Sequence, residues 1–459
     1  MKLNHIKKIF STSVFLLFVT IIPAQTMHTG YFLEGFFDRH HLNPALTPER
    51  NYFSLPFIGQ FSVDLFSTVG LSNFIYESTS NPGKLTTFMS PDIAKSTFLK
   101  SLPEVSRIGV KMDLDLLSIG FKGFKGYNTI NLNLRNSEYI SLPKELFDFM
   151  KSSLSDGNYL IKDININSTT YMELAFGHSH KIDDKLTIGA KFKYLIGIAY
   201  ADLNIDQIHA VVGGDSWSVN ANATMKASVS GLYFTNKDPA TKEFDGAEFD
   251  FKGLSGSGVA FDLGAEYNME ELVQGLTLSA SLTDLGAIKW QRTNIAATRN
   301  NQPVVFEGFG VDGADMEETM DKLQEDFEEL LKLYDNGQSI VKTGIGATMR
   351  FGAEYVMPFY SGLSAGMLLT HKTGLCKYSE ARLSLIISPN GWFELTGNAA
   401  LSSYGAAYGW LVNIHPAGFN LFFGTDSFKI KFNPQFIPIS DFRTNLVFGI
   451  KFPIGKKII

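Results

Sequence analysis

The chain of 459 residues contains a single cysteine, Cys376, so it forms no internal disulfide, and that residue reads as a small side chain near a turn. No basic block interrupts a formal net charge of -6, which argues against nucleic acid as a partner. No glycine-rich nucleotide loop, metal-binding helix pair or calcium-loop pattern occurs, and no cofactor is expected. Beyond the first two dozen residues there is no apolar run of about 18 residues, so no membrane-spanning helix is expected. A membrane role would have to use strands.

What is present favours them. The chain holds 41 Gly, 39 Phe and 17 Tyr against 4 Trp, and residues of this kind suit strands and interfacial girdles. At the start, Lys2, Lys7 and Lys8 precede the apolar stretch 14–22 and then Pro23-Ala24-Gln25. That layout predicts a signal peptide over 1–24, cleaved near Ala24, and the lack of a nearby cysteine argues against a lipid anchor.

Period-two alternation is the strongest signal. Ile345, Ala347, Met349, Phe351, Ala353 and Tyr355 share one face, and Gly344, Gly346, Thr348, Arg350, Gly352 and Glu354 share the other. Stretches at 186–194, 259–268 and 445–452 alternate in the same way. A soluble sandwich alternates too, but here the connections separate into short and long on opposite sides, as in a transmembrane barrel. Short turns are expected near 123–126, 183–185, 270–275, 358–362, 389–391 and 416–418. Long connections are expected at 72–103, 138–163, 204–255, 291–340 and 427–443.

The predicted fold is therefore an all-β transmembrane antiparallel barrel. Its strands fall at 52–71, 105–122, 126–137, 164–181, 185–203, 256–268, 276–290, 341–357, 363–373, 378–388, 392–401, 405–414, 419–426 and 444–454. That is about 14, an even number that returns both termini to the periplasmic side. Residues 217–229 alternate as well and are read as returning beside the strand before them, after a turn at 213–216. If they and 247–251 both cross, the count is 16. The domain scheme is 1–24 signal peptide, 25–51 periplasmic or hatch segment, and 52–459 barrel.

Two helices are expected within long loops. Met320, Leu323, Phe327 and Leu330 recur at helical spacing within 315–334 among acidic residues, a candidate mouth helix. A shorter one spans 143–154. Lumen candidates are Lys111, Asp113, Glu173, Lys191, Asp262, Glu266, Arg350, Glu354, Arg382 and Glu394, whose plain reading is a lumen held by paired charges and water. His178 and His180 share the parity of the lipid face near its edge and read as interfacial. His40 and His41 would diverge in an extended chain and make poor ligands. No catalytic or metal residue is expected, and the chain reads as a non-enzyme.

The segment Asn43-Pro44-Ala45-Leu46 is similar to the Asn-Pro-Ala stretch near the start of barrels related to the long-chain fatty-acid transporter. That resemblance implies a 14-stranded barrel with an N-terminal hatch. Residues 284–290 (DLGAIKW) and 448–455 (FGIKFPIG) resemble an uncharacterised outer-membrane family of the Bacteroidota. The ending Lys456-Lys457-Ile458-Ile459 departs from the terminal aromatic of proteobacterial barrels, which puts the usual assembly signal in doubt. The expected function is passive, porin-like transport of small hydrophobic or amphipathic molecules in the outer membrane. The alternative is a structural or docking component of a secretion or surface-display system. Expected partners are outer-membrane lipid and either a hydrophobic small molecule or a surface or periplasmic protein.

Overall fold

Period-two alternation over 14 spans closes into one cylinder. The structure, a computed structural model, describes residues 27–152, 156–213, 217–236, 240, 242–250, 253–298, 304–306, 332–429 and 442–455. The 14 antiparallel staves, in chain order, begin with β1 (Asn51–Phe53 and Phe61–Ser67), β2 (Val105–Gly123), β3 (Gly126–Pro143), β4 (Gly157–Lys181) and β5 (Leu186–Val212). They continue with β6 (Gly256–Asn268), β7 (Leu276–Ala297), β8 (Tyr334–Gly344 and Thr348–Val356), β9 (Leu363–Lys372) and β10 (Tyr378–Asn390). The last four are β11 (Phe393–Ser402), β12 (Gly405–Ile414), β13 (Asn420–Lys429) and β14 (Phe442–Ile454). Closure comes from β1, which pairs with β14 through Phe61 and Phe448 and with β2 through Phe61 and Leu114. Among the described residues the wall itself is thereby closed, with no end strand left over.

Polarity is inverted relative to a soluble barrel. Phe192, Phe261, Phe351 and Leu383 project outward and are exposed, while Lys191, Lys193, Asp262 and Arg382 project inward and are buried. Among the described residues no helix is long and apolar enough to cross a membrane.

Several expected extents need correction. β4, β5 and β7 run well past their predicted ends, and the extensions of β4 and β5 bury Ile161, Ile205, Ile208 and Ala210 against Val219, Ala221 and Ala223 of a further strand. β1 is interrupted between Phe53 and Phe61, where Pro56 has no amide to donate and Phe57 takes φ 68°. β8 breaks at 345–347, where Gly346 takes φ 87°. The Trp217–Val229 strand does return beside β5, from Val212 opposite Trp217 to Ala199 opposite Val229. Its other edge meets β7, so it stands above β6 as part of a raised wall. Leu232–Asn236 pairs with Phe244–Phe249 in a separate hairpin, and this excludes the 16-strand alternative.

At the long-loop end, α1 (Lys95–Ser101) and α2 (Lys144–Ser152) pack with Phe74 and Phe88. α2 matches the helix expected at 143–154, starting one residue later because Pro143 ends β3. Phe88 and Phe98 stack at 4.4 Å between centroids and close this small cap. The signal-peptide region 1–24 and the mouth-helix residues Met320, Leu323, Phe327 and Leu330 lie outside the described residues.

Residues 27–50 fold inside the cylinder at its short-turn end. They form two 3-10 turns, His28–Gly30 and Phe37–His41, joined by irregular chain. Met27, Tyr31, Leu33, Phe36 and Leu42 are buried against Leu368, Ile386, Leu411, Phe422 and Val447 of the wall. Each large side chain so buried contributes roughly 1.5–3 kcal/mol.

Candidate functional site

An irregular segment within a barrel must have its amides and carbonyls satisfied, and two 3-10 turns leave most of them open. The wall supplies the partners. Asp426 accepts from the amides of His28 (2.7 Å) and Thr29 (2.6 Å), and Glu394 accepts from the Gly35 amide at 2.9 Å. Asn420 donates to the Gly35 carbonyl at 2.9 Å. Ser281 and Arg350 donate to the Leu42 carbonyl at 2.8 and 3.3 Å.

Asn43 is the tightest junction. Its side-chain amide donates to the carbonyls of Ala265 on β6 and Ala280 on β7, while its oxygen accepts from the Ala45 amide. Glycine on the wall makes room for this close approach. A Cβ on Gly264 would lie 2.0 Å from Asn43 Oδ1, and one on Gly189 would lie 2.3 Å from the Pro44 carbonyl. Leu46 joins the apolar cluster of the inner segment.

Two buried ionic clusters flank the segment. On the β10–β14 side, Arg382 donates to Glu380 at 2.8 Å, to Asn398 at 2.5 Å and to the Asp426 carbonyl at 2.8 Å. Arg443 reaches the other oxygen of Glu380 at 3.0 Å. At the far end Lys451 pairs with Asp38 of the inner segment and with Asp115 at 3.3 Å. On the β3–β7 side, Lys193 contacts Asp284 at 2.6 Å and Asp262 at 2.8 Å. Arg135 contacts Glu173 and Asp284, each at 3.3 Å, and Asp113 at 3.7 Å.

Asp284 owes its inward position to a defect in the ladder. Leu285 pairs opposite Phe261 but Leu282 pairs opposite Leu263, so β7 carries one extra residue there, and Asp284 takes φ 60°. Its amide donates to Asp262 at 2.7 Å. Beside this bulge β8 is broken, and 345–347 lie next to 284–286 without regular pairing.

Toward the long-loop end of the inner segment lies a cavity of about 130 Å³. Its charged lining comprises Lys111, Asp113, Arg135, Asp284, Arg350 and Lys372, with Tyr171, Tyr200 and Tyr378 as its aromatic faces. The broken stretch of β8 from Gly344 to Gly346 and the connection carrying Cys376 complete it.

The expected lumen residues thus divide. Lys111, Asp113 and Arg350 line the cavity; Glu173 and Asp262 belong to the neighbouring ion cluster; Arg382 and Glu394 hold the inner segment. Lys191 Nζ lies 2.6 Å from His40 Nδ1 beneath the segment. Glu354 accepts from Ser364 at 2.8 Å, and Glu266 is half-buried, neither of them at the cavity.

Sequence reasoning did not select Arg135, Asp284, Lys372 or Arg443. Arg135 was accessible by register, since it stands opposite Asp113 and shares its face. Asp284 was hidden, because uninterrupted alternation from Leu276, Leu278, Ala280 and Leu282 would turn it toward lipid. A carboxylate at such a position is itself the signal of a bulge, because one residue of slip reverses every later side chain.

His40 and His41 do not diverge, because the backbone there is a 3-10 turn; their rings lie 4.2 Å apart. With Asp38 they offer ligand atoms within 4.8 Å of one another. Two ammonium groups occupy that neighbourhood, however: Lys191 is on His40 Nδ1 and Lys451 on Asp38, while Tyr52 takes His40 Nε2 at 2.7 Å. Local charge there is balanced by lysine. His178 is exposed and hydrogen-bonds Asn128 at 2.9 Å, with His180 alongside at 6.0 Å between rings.

A family model described as "Family of unknown function (DUF5723)" matches residues 44–426. No curated protein matches the chain in sequence. Among solved structures, the Ralstonia pickettii toluene transporter TbuX is 9% identical, with 93% of this chain and 100% of that one covered at a TM-score of 0.44. The P. putida toluene transporter TodX is 9% identical, with coverage of 92% and 94% and a TM-score of 0.42. A Pseudomonas aeruginosa FadL homologue is likewise 9% identical, with coverage of 96% and 99% and a TM-score of 0.42.

Proposed function

Since the chain belongs to this family of unknown function, DUF5723, we propose a task for it from its own geometry: a non-enzymatic outer-membrane barrel for passive transport of small amphipathic molecules, gated by residues 27–50. The single observation that carries the reading is how those residues are held. They form no strand of the wall and reach it through side-chain hydrogen bonds and apolar contacts, so they can leave without opening the cylinder. Above them lies a cavity, as a gated passage requires.

The apolar exterior and polar interior suit a bilayer. Periplasmic termini, signal-directed export and a Bacteroidota origin are the finer parts of the same reading. The docking alternative leans on 315–334, of which 315–331 lie outside the described residues and Tyr334 opens β8.

The test locks the hatch. Thr29 and Asn398 touch at 2.8 Å, and Cys376 is the single native cysteine. In a Cys376→Ser background, the pair Thr29→Cys and Asn398→Cys is expected to abolish uptake of octanoate into proteoliposomes when oxidised and to regain it on reduction. Equal uptake in both states would overturn the gating role.

A further inference from the structure

We propose that the cavity beyond the inner segment is an anion site, in which Lys111, Lys372 and Arg350 take one compact oxyanion, a carboxylate or a phosphate group. As a site for substrate it rests on the transport reading; as a binding site it stands on the charges alone.

Lining acids are engaged: Asp113 by Arg135, and Asp284 by Arg135 and Lys193. Three of the lining cations are not. Neither Lys111, Lys372 nor Arg350 forms an ion pair with any described carboxylate. Lys111 Nζ instead lies 5.8 Å from the Tyr378 ring centre and 5.9 Å from that of Phe66. Lys372 packs along the backbone at the β8 break, its Cε 3.1 Å from where a Cβ on Gly346 would lie. Arg350 spends its terminal nitrogens on the Leu42 carbonyl, Thr283 and His28, and its Nε is buried without a partner.

Three cations around one void repel one another, and since the nearby Asp113 and Asp284 are engaged by Arg135 and Lys193, none of the three gains a contact ion pair for the hydration it gives up. A bound anion offsets both costs. Lysine ammonium groups with rotatable donors beside a guanidinium make charge-assisted bonds to carboxylate and phosphate oxygens alike. A cavity of about 130 Å³ accepts such a group with little more. Arg350 also touches His28 at 3.4 Å and holds Leu42, so an anion here contacts the same side chain that holds the gate.

The experiment measures equilibrium binding to the purified full chain in detergent, with sodium octanoate, octanol and inorganic phosphate as probes. Octanoate is expected to bind at least about tenfold more tightly than octanol, the ratio one charge-assisted bond supplies. Lys372→Gln and Lys111→Gln each weaken it by about tenfold, while Lys372→Arg retains it. Competition by phosphate assigns recognition to the oxyanion alone; its absence assigns it to a head group carried on a tail, and either supports the site. Asp113→Asn, which removes a negative charge from the lining while Arg135 stays paired with Glu173 and Asp284, is expected to tighten octanoate binding and shows that a substitution in this lining does not by itself abolish it. Equal affinity for octanol and octanoate, or unchanged affinity in the lysine double variant, would overturn the proposal. Binding without uptake would overturn transport and leave the site standing, whereas uptake without binding would overturn the site alone.

Discussion

The inner segment and the cavity above it are both lined by buried charge, and they treat it in opposite ways. Around the segment, Arg382, Glu380, Arg443 and Asp426 interlock with one another and with the segment's amides. In the cavity, Lys111, Lys372 and Arg350 face inward with no described carboxylate paired to them. The wall strands are the same kind of strand in both places, so the difference lies in what each region was built to hold. One set of charges replaces the secondary structure that residues 27–50 lack. The other is left open to something that comes and goes. Buried groups that are fully paired contribute specificity of placement, whereas unpaired ones raise the free energy until a ligand arrives.

The largest expected effect tests the first half of that contrast. Arg382→Met removes the centre of the interlocked cluster and leaves Glu380 and Asp426 short of a cation. Breaking a buried ionic network in this way costs roughly 3–5 kcal/mol. Because Asp426 also holds His28 and Thr29, the segment should come free before the barrel unfolds. Limited proteolysis is expected to cut within 27–50 in the variant while the barrel keeps its heat-dependent gel mobility. An unchanged cleavage pattern would mean that the cluster does not hold the segment.

A smaller effect comes from the junction at Asn43. Gly264→Val places a Cβ where Asn43 Oδ1 already sits, an overpacking cost of about 1–3 kcal/mol. Gly397→Ala, with nothing within 4 Å of its added carbon, is the control and should leave stability unchanged. Protease sensitivity of the segment should again rise in the first variant and not in the second. If both behave alike, the segment is not seated by glycine clearance.

How much of this was legible follows from the range of each interaction. Strand positions depend on neighbours two residues apart and on turn residues, so all 14 spans could be read from local pattern. Their outer ends could not, since Ile161, Ile205 and Ile208 of the β4 and β5 extensions are covered by Val219 and Ala221 of the strand returning beside β5, a contact that local pattern does not show. Inward direction was legible at Lys111, Arg350 and Arg382 by parity. Which of them is paired was not, because that depends on contacts as remote as His28 with Asp426, 398 positions apart. Asp284 shows the limit most clearly, for a single bulge turned it from the lipid side to the interior.

The smallest expected effect sharpens the second half of the contrast. Lys372→Gln and Lys111→Gln remove charges that hold nothing in the unliganded barrel, so stability should change by less than about 1 kcal/mol, the range seen for loosely engaged charges. Relief of repulsion between the cations would move it upward rather than downward. Thermal midpoints measured without octanoate should therefore match or exceed the parent, and the parent's advantage should appear as octanoate is added, since a ligand that binds the folded state stabilises it by mass action. A loss as large as that of Arg382→Met, seen without ligand, would mean that the cavity lysines are structural after all and that the two regions do not differ in kind.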